Sequence, residues 1–303
     1  MTTERFNNGK SILVPPNVLV LLATCNGMAH LEGQLESIFR QRFISINVVA
    51  SDDCSSDSTV EILERFIDNG FPLQVVSKTT KFGSAAPNFF HLAKSSEIDG
   101  YDFVCFSDQD DIWLEDKIIS AIQEIIENKV CGFSSDVIAF WPNSGKKKLI
   151  KKSFKQTEND FWFESPGPGC TQVFTAESFQ KFQYFLLKNS SKLHKIDYHD
   201  WLVYAFYRYK EYGWFISDQP RMYYVQHSGN QIGANSGLSA FSNRIRLIRT
   251  KWYSRQVNSI YQLVSGNDNA RISFKFMTAN FLNLRRKKFL SIFLFSCYVI
   301  GAI

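Results

Sequence analysis

The first half of the chain alternates between unbroken apolar runs and stretches whose apolar residues recur at helical spacing. Val18–Ala23, after Pro15-Pro16, reads as a buried strand, because a strand covered on both faces has no polar side to display. Thr24-Cys25-Asn26-Gly27 reads as a turn, after which Met28, Leu31, Leu35, Ile38 and Phe39 share one helix face. Ile46–Ala50 is a second strand. Ser51–Ser58 is turn-rich, and Ser58 with Glu61 has the form of a capping box opening a helix that carries Val60, Ile62, Leu63, Phe66 and Ile67. Leu73–Val76 is a third strand, Pro87 suits the first turn of a helix over Asn88–Lys94, and Tyr101–Phe106 is a fourth strand. A helix marked by Ile118, Ile119, Ile122, Ile125 and Ile126 precedes a strand over Asp136–Trp141.

Strands alternating with helices predict an α/β fold: a mostly parallel central sheet with helices on both faces. Ligands of such sheets bind outside the carboxyl ends of the strands. Asp52-Asp53 and Asp108–Asp111 both fall at such ends, so they are expected to share one crevice. The second half is less regular. Lys146–Lys155 reads as an exposed basic loop and Ser165–Gly169 as a turn-rich stretch. Asp197–Tyr209 reads as an aromatic helix, and Tyr223–Gly237 as a strand followed by a Gly- and Asn-rich loop.

Composition changes this picture at the C-terminus. The formal net charge of +5 divides into about −5 for residues 1–240 and a strongly basic remainder that holds a single acid, Asp268. That remainder ends in Arg285-Arg286-Lys287-Lys288 and the apolar run Phe289–Ile303, shorter than the ~20 residues of a spanning helix. Two readings stay open: a helix lying at a membrane surface, or one packed on the domain with its basic neighbours in solvent. The six cysteines form no C-x-x-C pair, and the first ten residues carry no apolar signal core. Both point to a reducing, cytosolic setting.

Three acids within Asp108–Asp111 repel one another, and a hard divalent cation such as Mg²⁺ or Mn²⁺ relieves that repulsion through carboxylate oxygens. Such a cation next to substrate phosphates is suited to neutralising a diphosphate leaving group. Taken alone, the run also reads as an acidic loop ahead of a helix capped near Asp116. It lacks the Gly and distal Glu of an EF-hand, and no Gly-rich phosphate loop follows Val18–Ala23. Without further context Asp200 reads first as a helix N-cap ahead of Trp201–Tyr209, and His227 as either a surface imidazole or a ligand.

Ala23-Thr24-Cys25-Asn26-Gly27, Ser51-Asp52-Asp53-Cys54-Ser55-Ser56-Asp57 and Ser107-Asp108-Gln109-Asp110-Asp111-Ile112-Trp113 together resemble the inverting family-2 glycosyltransferases of GT-A fold, most closely bacterial rhamnosyltransferase-like members. The resemblance covers about residues 16–235. It implies that Ala23 and Thr24 contact the nucleotide, that Asp53 beside Asp52 binds the base, and that Asn26, Gln109 and Trp113 complete the donor-contacting set. Asp110 is implied as the main metal carboxylate, with Asp108 and Asp111 as close partners. His199-Asp200-Trp201 is similar to the motif that supplies the catalytic base, Asp200. Gly169-Cys170-Thr171 is similar to the segment under the sugar or acceptor. Tyr224–His227 through Asn230–Gly233 resembles the late motif near metal and diphosphate, with His227 as a ligand.

The chain departs from the pattern at Cys25, where an aromatic is common, at Cys54, where Gly is common, and at Lys81, where Asn is frequent. The implied activity moves a sugar, rhamnose in the nearest-looking members, from a dTDP- or UDP-linked donor to a hydroxyl of a glycan or lipid-linked glycan at the inner face of the cytoplasmic membrane. The implied organisation is a GT-A domain over residues 1–240 and a basic, amphipathic helical region over 241–303. The competing readings are a binding-only relative and another metal-dependent nucleotidyl-type transferase. A nucleic-acid partner is disfavoured, because the basic residues adjoin an apolar tail.

Overall fold

The computed structural model describes residues 3–7, 10–76, 80–227 and 250–299. Asn230–Gly233 and the end of the apolar C-terminal run, residues 300–303, lie outside them. A hairpin of β1 (Thr3–Asn7) and β2 (Lys10–Val14) precedes the main fold. Then follow β3 (Asn17–Thr24), α1 (Leu31–Phe39), β4 (Ser45–Asp52), α2 (Thr59–Asp68), β5 (Leu73–Val75), α3 (Ala85–Ser95), β6 (Phe103–Ser107), β7 (Ile112–Trp113) and α4 (Lys117–Glu127). The second half contributes β8 (Gly132–Ser135), β9 (Val137–Trp141), β10 (Lys146–Ile150), β11 (Val173–Thr175), α5 (Ala176–Lys188), α6 (His199–Tyr209), β12 (Trp214–Ser217) and β13 (Met222–Val225). Three helices close the chain: α7 (Trp252–Ser265), α8 (Phe274–Asn280) and α9 (Lys288–Val299).

Among the described residues the main sheet has seven strands in the order β12-β8-β11-β6-β3-β4-β5. Strands β6, β3, β4 and β5 run parallel, whereas β11 is antiparallel to both its neighbours. The unbroken apolar run of β3 is explained by its two faces. Leu19 and Leu21 pack with Phe89, Phe106, Phe179 and Tyr204 on the side of α3, α5 and α6. Val18, Val20 and Leu22 pack with Leu35, Leu63 and Ile122 on the side of α1, α2 and α4. Helix α7 joins the first layer through Ile260 and Leu263.

Several expectations change. Ser58 stands at the N-cap of α2 but makes no capping bond with its side chain. Asp57 accepts the Thr59 amide instead, at 3.1 Å. The basic segment after Lys146 is not a loop at first: Lys146–Ile150 pairs antiparallel with β9 as an exposed strand of a second sheet, β10-β9-β13-β7. Lysines suit such an edge because they discourage further pairing. Strand β8 and helix α5 were not expected. The four residues of β8, Gly-Phe-Ser-Ser, display no apolar run, because two of them are small serines packed into the interior.

Candidate active site

Parallel pairing brings three strand ends together: Ala23 lies opposite Ser51, Thr24 opposite Asp52 and Leu22 opposite Ser107. The loops after β3 and β4 are bound to each other. The Thr24 hydroxyl donates to Asp52 Oδ1 at 2.9 Å, and the Ser55 amide donates to Asp52 Oδ2 at 2.8 Å. Asn26, in the left-handed region at φ 49°, accepts the Ser56 amide at 2.8 Å and donates its own amide to Ser55 Oγ at 2.7 Å. Cys54, where Gly is common in the family, also has a left-handed backbone at φ 54°. Gln109 clamps the first loop by accepting the Cys25 amide at 2.7 Å and donating to the Cys25 carbonyl at 3.0 Å. A side chain at Gly27 would collide with that Gln109 amide.

Asp53 is nearly fully buried, and its carboxylate accepts the amides of Phe82 at 2.6 Å and Gly83 at 2.7 Å. Asp52 and Asp53 therefore tie down the loops around the expected base position. Trp113, expected among the donor contacts, is packed in the interior with its ring beneath the Lys117 ammonium at 3.6 Å. That ammonium is buried and its pKa is lowered, first by burial.

The acidic run turns two ways. Asp110 faces outward to His227: their Oδ2 and Nε2 atoms lie 2.8 Å apart although 117 residues separate them in sequence. Adjacent ligands on an octahedral cation at ~2.1 Å would be ~3 Å apart, so this pair is spaced as neighbouring ligands. His30 stacks on His227 with ring centroids 4.3 Å apart, and its own pKa is lowered, chiefly by burial and then by His227. Asp111 turns inward, where, among the described residues, its oxygens meet no donor stronger than the neighbouring Cys170 thiol. Ligand atoms of Asp108, Asp111 and Cys170 lie within 4.8 Å of one another. Burial and then Asp110 push Asp108 up to about 7 and Asp111 well above the usual carboxylate range. Burial also raises the Cys170 thiol, so it stays protonated, and the hard oxygens are the donors a Mg²⁺ or Mn²⁺ would choose. The residues present fit such a cation.

Asp200 lies in the first turn of α6 rather than at its N-cap, which is Tyr198. Its Oδ1 accepts the Trp201 amide at 2.9 Å. Asp200 is half-buried by exposed area, yet its surroundings push its pKa up to about 6, with desolvation the main cause, against the Ser165 hydrogen bond and the Lys152 charge. His199 stacks on Phe89 at 4.0 Å and is held neutral by burial, which lowers its pKa to about 3. Gly169 leaves room for that imidazole, because a Cβ there would meet Nε2. Sequence reasoning set His30 aside as part of a helical pattern and gave no role to Lys117, Lys152 or Ser165, whose interactions arise through neighbours in space.

Parallel strand ends that carry acids, with an imidazole beside one of the carboxylates, form an arrangement suited to a nucleotide-diphosphate ligand, as in glycosyltransferases. The profile of Glycosyl transferase family 2 matches residues 19–185, more than half of the chain. Over 276 residues the chain is 39% identical to the dTDP-rhamnosyl transferase RfbG of Shigella flexneri, covering 88% of this chain and 95% of that one. It is 23% identical over 266 residues to the GalNAc(5)-diNAcBac-PP-undecaprenol beta-1,3-glucosyltransferase of Campylobacter jejuni, with 82% of each covered. Among solved structures, S. aureus TarS 1-349 in complex with UDP-GlcNAc has a TM-score of 0.54 at 19% identity, covering 95% of this chain and 81% of that chain. The mannosyltransferase PcManGT from Pyrobaculum calidifontis, in complex with GDP-Man and Mn2+, has a TM-score of 0.51 at 16% identity, covering 96% and 79%. The chain belongs to glycosyl transferase family 2 and is a transferase enzyme.

Proposed function

We propose that the enzyme transfers rhamnose from a dTDP-linked donor to a hydroxyl of a surface-glycan acceptor, with inversion at the anomeric carbon. The donor assignment rests on the 39% identity to dTDP-rhamnosyl transferase RfbG along nearly the whole of both chains. The reaction type is supported by the match to glycosyl transferase family 2 and by the Asp110–His227 pair at the strand ends.

Asp200 takes the proton of the acceptor hydroxyl as its oxygen bonds to the anomeric carbon, while the bond from that carbon to the diphosphate oxygen breaks. A carboxylate with a pKa near 6 suits this task, being ionised at neutral pH yet more basic than an ordinary aspartate. Asp110 and His227 would hold Mg²⁺ or Mn²⁺, with Asp108 and the inward-turned Asp111 shaping the acidic surroundings. When bound, the cation supplies Lewis-acid neutralisation of the departing dTDP. The clamped loops Thr24–Met28 and Asp52–Thr59 shape the nucleoside pocket, with Ala23 and Thr24 at its edge. Gly169 and Cys170 floor the sugar side.

The division into residues 1–240 and a C-terminal helical region belongs to the same reading, as does a position at the inner membrane face beside a lipid-linked acceptor. Among the described residues no helix is long and apolar enough to cross a membrane. Helix α9 does present Phe289, Ile292 and Phe293 to the outside at 69%, 47% and 43% exposure. Exposed Lys287 and Lys288 adjoin them, the arrangement of a helix lying at an anionic surface.

A thermal-shift titration tests the donor and metal assignments together. dTDP-rhamnose with Mn²⁺ should stabilise the protein, by ~2.7 kcal/mol at a hundredfold excess over Kd. UDP-GlcNAc and GDP-mannose should stabilise it less, and Asp110→Ala should abolish the metal-dependent part. Equal stabilisation by all three donors would reject the dTDP assignment, and a metal-independent shift would reject the cation site.

A further inference from the structure

His30 stands at the N-cap of α1, a place where a polar side chain commonly accepts a backbone amide of the first turn. Its imidazole makes no such capping bond. It lies face to face with the His227 ring instead, the centroids 4.3 Å apart and the planes inclined by 24°. The edge of His227 meets Asp110, with Nε2 and Oδ2 2.8 Å apart. The two contacts restrain different motions. The edge contact sets the distance between imidazole and carboxylate, and the face contact sets the plane of the ring.

Both contacts start from one braced loop. The Gly27 carbonyl accepts the amides of His30 and Leu31 at 2.9 Å each, and the Gly27 amide donates to Thr59 Oγ1 at 2.7 Å. Gln109, the chain neighbour of Asp110, holds the amide and carbonyl of Cys25 in the same loop. Helix α1 is itself anchored by Leu31 and Leu35 in the core. His30 and Asp110 are therefore fixed relative to each other by the N-terminal half of the fold. His227, which follows β13, is received between them, against a carboxylate at its edge and a ring at its face.

We propose that His30 is a positioning residue for His227: its ring face holds the His227 imidazole in the plane that keeps Nε2 toward Asp110, so that the pair stands ready for a divalent cation.

This inference rests on the reading of Asp110 and His227 as the cation pair. It assigns the work to the face of the His30 ring and not to its nitrogens. A further ligand, or a donor to the diphosphate, would need a ring nitrogen, so the two kinds of role respond differently to a flat side chain that has none. Groups that orient a ligating imidazole act on metal affinity, and their loss is felt first when the metal is scarce.

The test compares His30→Ala and His30→Phe in the intact enzyme. The Mn²⁺ concentration at half-saturation is read by thermal shift in the presence of dTDP, and independently from turnover with dTDP-rhamnose. His30→Ala should raise both readings about tenfold, with most of the turnover regained at saturating Mn²⁺. His30→Phe, which keeps an aromatic face, should stay near the parent in both. Parent-like Mn²⁺ dependence in a folded His30→Ala overturns the inference. A His30→Phe as weak as His30→Ala overturns it too, because the nitrogens rather than the face would then matter. Should His30→Ala not fold, His30→Leu, which has bulk but no flat face, takes its place under the same outcomes. Asp110→Ala separates the two levels. Lost Mn²⁺ dependence there beside parent-like His30→Ala overturns the positioning role alone, whereas retained dependence in Asp110→Ala overturns the cation reading with it.

Discussion

Asp200 is the residue whose chemistry is most exposed to test. Its pKa is pushed up to about 6, mainly by desolvation, so it must lose its proton before it can serve as base. Turnover should fall as pH drops through about 6, and a pH–rate profile of kcat checks this. The effect on stability has the opposite sign. A raised carboxylate pKa favours the folded state while the group is protonated, and that contribution is lost as pH rises through about 6. Asp200→Asn should therefore abolish transfer, retain donor binding, and melt higher than the parent at pH 8, by a margin that shrinks as pH falls from about 6 and vanishes below 3.8, measured by calorimetry. Cys54 offers a simpler case. An L-residue at φ 54° has its Cβ crowded against the backbone, a strain of about 1–2 kcal/mol that glycine lacks. Glycine's larger unfolded-state entropy offsets part of it. Cys54→Gly should raise stability by roughly 0.5–1 kcal/mol in denaturant melts with activity kept. The special backbone at position 54 was legible from the family pattern. The engagement of Asp53 by the Phe82 and Gly83 amides was not, because no local signal marks where a loop 29 residues away will return.

At the scale of elements, the strand ends carry the site because parallel pairing aligns β3, β4 and β6 at their carboxyl ends. What turns aligned ends into a rigid site is the traffic between loops. Gln109 reaches from the acidic run to grip Cys25, and Gly27 lets it pass. Gly27→Ala should break that clamp and loosen the donor loop. The expected result is a raised donor KM, a stability loss of about 1–3 kcal/mol from the overpacking, and an unchanged acid limb, read from steady-state kinetics and melts. Long apolar strands and helices with a clear apolar stripe were readable along the chain. Elements such as β8, β10 and α5 were not, since their burial is decided by partners: β8 fills with serines between two strands, and β10 is held as a strand by β9 alone among the described strands.

For the whole molecule, the C-terminal helices both complete the core and present an apolar outer face. Truncation near Arg285 would remove Arg286 and with it a buried ion pair, so it mixes folding with membrane contact. Replacing Phe289, Ile292 and Phe293 with Ser is the cleaner probe. The triple variant should lose sedimentation with anionic liposomes while keeping its melting temperature within a few degrees and its turnover on a soluble acceptor. Undiminished sedimentation would sink the membrane assignment. By itself the sequence determined the class of the fold and placed its acidic runs at strand ends. A short unbroken apolar run bounded by turn residues suits a strand buried on both faces, because successive side chains point to opposite faces of the sheet. Only the tertiary structure decided that Asp110 and His227 meet directly at 2.8 Å, that Asp111 points into the interior, and that Arg286 leaves the basic cluster to join Asp160 and the Ser165 carbonyl. Those choices depend on which distant groups share a buried space and must satisfy one another's charges and hydrogen bonds there, and no periodicity along the chain encodes them.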